Sequence, residues 1–152
     1  MKNILIVGGS SGIGLALVEQ LAEDHNVFVA SRTSESLVGK NCTHIPYDVM
    51  SQELDVSLLP ELHGFVYCPG SINLRPFKGL KPETFQADFD LNVMGAIKSL
   101  QALGKNLQAT THASVVFYST VAVQTGMPLH TSVAAATRAL EGLPRPVAAE
   151  WA

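Results

Sequence analysis

Short apolar runs alternate with longer stretches in which apolar residues return at helical spacing. Lys2 to Val7 holds a continuous apolar run, the pattern of a strand buried on both faces. Ile13, Leu17, Val18 and Leu21 then recur at intervals of three and four, and Val27-Phe28-Val29-Ala30 supplies a second short run. Extended along the chain, this pattern predicts strands near 2–7, 27–31, 43–47, 63–68 and 113–119. It predicts helices near 12–24, 51–58, 82–109 and 131–142. Lys81-Pro82-Glu83 marks the start of the third helix, and Ile97, Leu100, Leu103 or Gly104, and Leu107 form an apolar face along it. The alternation predicts an α/β fold: a doubly wound, Rossmann-like parallel sheet in the order 3-2-1-4-5, as a single dinucleotide-binding domain over 1–152. No repeat or low-complexity linker interrupts it.

The first strand runs directly into Gly8-Gly9-Ser10-Ser11-Gly12-Ile13-Gly14, a G-x-x-x-G-x-G turn that opens the first helix. Gly8 can end the strand in a tight turn, and Gly12 leaves no side chain between the backbone and a pyrophosphate. Gly14 allows the helix to pack closely, with its N-terminal N–H groups aimed at an anion. The end of the second strand indicates which dinucleotide is held. Folds that use NAD place an acid there for the ribose 2′-hydroxyl, whereas an arginine accommodates a 2′-phosphate. The chain reads Ala30-Ser31-Arg32-Thr33, with no acid and with a guanidinium suited to phosphate, so NADP(H) is the expected cofactor.

These motifs resemble the short-chain dehydrogenase/reductase family, whose turn reads T-G-x-x-x-G-I-G, with Val7 here in the threonine position. The resemblance continues along nearly the whole chain. Asp48-Val49 stands where family members contact the adenine, and Cys68-Pro69-Gly70 where they carry N-A-G. Asn92-Val93-Met94-Gly95 matches N-V-x-G on the central helix, and Val115 to Thr120 matches the strand leading to the catalytic serine. The resemblance implies cofactor contacts at Gly8, Ser10, Ser11, Gly12, Ile13, Gly14, Arg32, Asp48, Val49 and Gly70. It implies catalytic positions at Asn92 and Thr120, and hydride transfer between a nicotinamide and a small-molecule carbonyl or alcohol substrate.

In the family a tyrosine moves the proton, and a lysine four residues later lowers its pKa. Aligning Glu141-Gly142-Leu143 and Ala148 to Ala152 with the family's following helix puts Val133 in the tyrosine position and Thr137 in the lysine position. Valine has no proton to transfer, and threonine cannot bring a phenol toward neutrality. His130, one helical turn earlier, and Tyr118, two residues before Thr120, are the candidate substitutes. The ordinary readings of these two are a loop histidine and a core tyrosine.

Pro144 and Pro146 predict that the last helix breaks near Gly142. The family continues into two more strands after this helix, so a C-terminally shortened sheet is expected, from a degenerate member or from a fragment of an ordinary one. The departures cluster after residue 130. The family's four-helix contact, together with strand 5 as an exposed edge, implies a homodimer or homotetramer.

A chain of 152 residues suits one globular domain. A net charge of −3 without a Lys/Arg cluster gives no footprint for nucleic acid or an anionic membrane. No apolar stretch is long enough to span a bilayer, and Met1-Lys2-Asn3 leads straight into the first strand, so a cytoplasmic location is expected. Cys42 and Cys68 lack metal-ligand spacing and read as free thiols. Three functions fit the sequence: an NADP(H)-dependent oxidoreductase with impaired catalysis, a non-catalytic nucleotide sensor, and a structural oligomerisation module.

Overall fold

A computed structural model describes residues 1–152. Five parallel strands form one sheet in the order β3-β2-β1-β4-β5, the predicted Rossmann-like order: β1 Asn3–Val7, β2 Asn26–Ser31, β3 Cys42–Pro46, β4 Gly64–Tyr67 and β5 Ser114–Phe117. Val7 pairs with Ala30 on one side and Tyr67 on the other, so β1, β2 and β4 end level with one another. Loops leaving these strands therefore share the carboxyl edge of the sheet, where open α/β sheets bind ligands.

The chain divides into two compact units. The first, Met1–Cys68 with Lys98–Phe117, contains the whole sheet; the second is Pro69–Ile97 with Tyr118–Ala152.

In the first unit the alternation of side chains along buried strands fills two separate layers. Helix α1 (Gly12–Leu21) lays Val18, and its C-cap Ala22, against Ile4, Ile6, Val27, Val29 and Val66. Leu5, Phe65 and Tyr67 alternate with those residues and point to the other face, all with 2% exposure or less. The helical stretch after Lys98 supplies Leu100, Leu103 and Leu107, which are buried but belong to no part of the α1-side cluster. Phe65 and Phe117 meet edge to face, with ring centroids 6.2 Å apart, which holds β5 to β4. β5 is an edge strand, and Val116 on it is 43% exposed.

The predicted helix over 51–58 does not form; the chain crosses from β3 to β4 as turns. Local side chains outcompete the helix for backbone groups. Asp48 Oδ1 accepts from Met50 N (3.0 Å), Gln52 Oε1 accepts from Asp48 N (2.6 Å), and Asp55 Oδ1 accepts from Ser57 N (2.9 Å). The bonds from Ser57 hold the Asp55 carboxyl below its ordinary pKa. Asn106 then closes the crossover by donating through Nδ2 to the carbonyls of Leu59 and Pro60.

The predicted helix over 82–109 is present but not uniform. It runs as α2 (Pro82–Phe89), a π turn at Asp90–Met94, α3 (Gly95–Ala102) and α4 (Gly104–Gln108). After the short α5 (Ala122–Thr125), α6 (Thr131–Glu141) ends where the prolines required, and α7 (Pro144–Glu150) starts on Pro144. Pro144 takes the first position of α7, where its missing N–H costs nothing.

Candidate functional site

In the first unit the glycine turn has the backbone its sequence requires. Gly8 and Gly12 adopt φ of +78° and +53°, the left-handed region that suits glycine. A Cβ on Gly14 would overlap Gly8 O and come within 3.0 Å of Gly8 C and Gly9 Cα; backbone surrounds it, so nothing can move aside. Gly9, which the spacing argument passes over, is also constrained, because a Cβ there would lie 2.7 Å from Val29 Cγ1. Its adjacency to Gly8 over a buried β2 was the available signal. Ser11 precedes α1 with extended backbone (φ −158°) and caps nothing with its side chain. Ser11, Gly12 and Ile13 are exposed.

The loop after β2 is tied to this turn. Thr33 Oγ1 donates to Ser10 Oγ (3.3 Å) and Ser36 Oγ to Ser10 O (2.6 Å). Ser31 Oγ donates to Thr33 O (2.7 Å), which fixes the backbone on both sides of Arg32. Arg32 is exposed, and the chain offers it no ion pair. At the end of β3, Asp48 is half-buried with Oδ1 engaged by Met50 N, and Val49 is buried. The unit thus gathers Gly8, Ser10, Ser11, Gly12, Ile13 and Gly14 with the Arg32 loop, while Asp48 and Val49 follow β3. Burial pushes the thiol of Cys68, after β4, up to about 11, which disfavours the thiolate.

The second unit holds the remaining expected positions. Gly70 and Asn92 are neighbours, since a Cβ on Gly70 would stand 3.1 Å from Asn92 Oδ1. Asn92 lies in the π turn, a helix irregularity often found at functional sites. Its Nδ2 donates to Asp88 O (2.7 Å) and Ser71 Oγ (3.1 Å). Asp88, Ser71 and Asn73 escaped the sequence reading; the one signal was an acid four residues before Asn92, on the same helix face. Thr120 is half-buried; its Oγ1 accepts from Ala122 N (3.3 Å) at the entry to α5 and makes no hydrogen bond to Asn92.

The family model described as short chain dehydrogenase matches residues 2–152. The chain belongs to the short-chain dehydrogenase family. It is 31% identical over 167 residues to the 2,5-dichloro-2,5-cyclohexadiene-1,4-diol dehydrogenase of Sphingobium indicum, covering 99% of this chain and 66% of that protein. It is 26% identical over 157 residues to the 3-oxoacyl-[acyl-carrier-protein] reductase MabA of Mycobacterium tuberculosis, covering 98% of this chain and 63% of that protein. A solved short chain dehydrogenase/reductase family protein superposes with a TM-score of 0.88 at 27% identity, covering 99% of this chain and 68% of that one. The chain spans between 51% and 66% of the length of the curated relatives it matches.

Helix α6 carries Val133 and Thr137, the two positions at which the sequence predicts a departure from the family. Val133 and Thr137 are both buried, at 7% and 5% exposure, and neither carries an ionisable group. A carbonyl can only accept, so the His130 Nδ1 donates to Pro128 O (2.7 Å), which holds the ring in the loop entering α6 and leaves Nε2 as an acceptor. Tyr118 is 38% exposed, not the core residue that was its ordinary reading. Ser119 Oγ donates to Glu141 Oε1 (2.5 Å) and Arg138 Nη1 to Oε2 (2.8 Å). Chiefly through the Ser119 bond, the Glu141 carboxyl is held below its ordinary pKa. No helix is long and apolar enough to cross a membrane.

Proposed function

We propose that this chain, as one dinucleotide-binding domain, binds NADP(H), and that it descends from enzymes passing hydride between nicotinamide and a small carbonyl or alcohol, with that reaction impaired here. The observation that carries the binding is the glycine turn, with Gly14 closed off by backbone and Gly8 and Gly12 at positive φ. The choice of NADP(H) is supported by Arg32, an exposed guanidinium without an ion pair on a loop bonded to Ser10. In this reading Ser10, Ser11, Gly12 and Ile13 hold the pyrophosphate, Arg32 the 2′-phosphate and Asp48 with Val49 the adenine. For the second unit, the resemblance to the family gives Gly70 a cofactor contact, Asn92 a water and Thr120 the substrate oxygen. When bound, the nicotinamide supplies or takes the hydride; the chain's residues bind and orient, and none at positions 133 or 137 moves a proton. Family membership and the activities named for these relatives support the oxidoreductase ancestry.

A second reading, nucleotide binding without turnover, is favoured by the burial of two non-ionisable side chains at positions 133 and 137. Self-association as a homodimer or homotetramer is supported in the second unit by an apolar groove of about 780 Å³ between α2 and α6, lined by Phe77, Leu80, Phe85, Phe89, Ala135 and Ala136. A cytoplasmic location is supported by two thiols that remain unpaired.

Thermal unfolding with NADPH, NADH and neither tests the proposal. A ligand at 100 times its Kd adds about 2.7 kcal/mol, which for a chain of this size raises Tm by about 5–10 °C. Stabilisation by NADPH above NADH is expected. Replacing Arg32 by glutamate reverses the charge beside the 2′-phosphate, and a charge-assisted hydrogen bond contributes about 1.5–3 kcal/mol. Arg32→Glu should therefore weaken NADPH by at least about tenfold and leave NADH nearly unchanged. Equal loss for both nucleotides would remove Arg32 from the site.

A further inference from the structure

Asp88 is completely buried on α2, four residues before Asn92. Its Oδ1 accepts from Ser71 Oγ (2.5 Å) and from Asn73 Nδ2 (2.6 Å), while Oδ2 is buried with no partner. A carboxylate can only accept, so the Ser71 hydroxyl proton is committed to Asp88 and a lone pair on Ser71 Oγ is left for Asn92. The side-chain atom of Asn92 that meets Ser71 also lies 2.7 Å from the carbonyl of Asp88, which again can only accept; that atom is therefore the nitrogen. Hydrogen bonding runs in one direction, from Asn92 N–H to Ser71 O–H to the Asp88 carboxylate. Both Nδ2 protons are used. Oδ1 remains, and it faces Gly70, where a Cβ would stand 3.1 Å away and none exists.

We propose that Asp88 is a positioning residue: its charge, acting through Ser71, fixes the Asn92 amide so that Oδ1 is presented beside Gly70 as an acceptor for an O–H donor. That donor is a water or the hydroxyl of an alcohol. The inference rests on Asn92 being a site residue. It also explains the pairing of small and polar residues in Gly70-Ser71-Ile72-Asn73: glycine opens the space, and Ser71 and Asn73 serve the buried carboxylate.

Side-chain amide exchange read by NMR on the full chain tests this without turnover. The Asn92 proton facing Ser71 should exchange about tenfold faster in Asp88→Asn, where the acceptor loses its charge, and in Ser71→Ala, while the proton facing the Asp88 carbonyl stays protected. Asn73→Ala touches the same carboxylate but not Asn92, and should leave both protons unchanged. Gly70→Ala fills the space beside Oδ1 and should move the Asn92 carbonyl carbon resonance. If added cyclohexanol moves that resonance in the unaltered chain, the donor is an alcohol; a resonance that responds to Gly70→Ala but not to cyclohexanol identifies water. Should Asp88→Asn and Ser71→Ala melt earlier yet leave both Asn92 protons as protected as before, Asp88 is merely structural and the proposal is overturned. NADPH stabilisation in the thermal measurement reports separately on the nucleotide reading, so the two can fail independently.

Discussion

A Gly14→Ala chain should lose NADPH-dependent stabilisation altogether, with at least a hundredfold weaker binding. The added methyl overlaps Gly8 O and meets Gly8 C and Gly9 Cα at 3.0 Å, all backbone. Relief requires α1 to move away from the end of β1, which disturbs the turn that would carry the phosphates. Overpacking of this kind costs about 1–3 kcal/mol even where side chains can give way, and here backbone must shift. Gly39→Ala is the comparison. Gly39 has positive φ (+79°), which Gly14 does not, and no atom stands within 4 Å of its Cβ position. It should therefore lose stability from backbone strain alone and keep its response to NADPH. Isothermal titration of both variants decides: comparable NADPH affinity in the two would mean that the turn does not hold the nucleotide.

The second large effect is a gain. Val133→Tyr combined with Thr137→Lys should raise carbonyl reduction by about two to four orders of magnitude, the range that a positioned general acid contributes. Either change alone should do little, since a phenol near pKa 10 needs the cation and the cation has no proton route without the phenol. Both positions are buried on α6, so the double variant should also be less stable, by about 1–3 kcal/mol. Steady-state rates against a panel of aldehydes and ketones measure it. A double variant that binds NADPH and reduces nothing would show that more than these two side chains separates this chain from catalysis.

Much of the fold could be read from the sequence because its signals are local and repeated. Five short runs became five strands in the expected order, and the signal is plainest in β1 and β4, which are buried on both faces and need uninterrupted apolar residues. The break after Glu141 was legible because proline has one physical meaning inside a helix. Residues 51–58 misled for the opposite reason: Asp48, Gln52 and Asp55 can serve a helix or bond their own backbone, and that competition is settled by geometry absent from the spacing. The π turn at Asp90–Met94 gives no compositional sign, and a 3.6-residue pattern passes through it. In the candidate site, glycines were readable because backbone demands are specific. Asp88 was not, because its meaning depends on Ser71 and Asn73, fifteen or more residues earlier in the chain.

The crossover between β3 and β4 carries a consequence for how the protein can change. Between Glu53 and Glu61 it is held mainly by the buried side chains of Leu54 and Leu59 and by the Asn106 amide, with few backbone hydrogen bonds. A stretch secured at two points by side chains can lengthen between them without unpairing a strand, because doubling a loop costs only about 0.6 kcal/mol. Lineages descending from such a chain would be free to acquire inserted segments between Leu54 and Leu59, so new surface could evolve there while the five-stranded sheet stayed as it is.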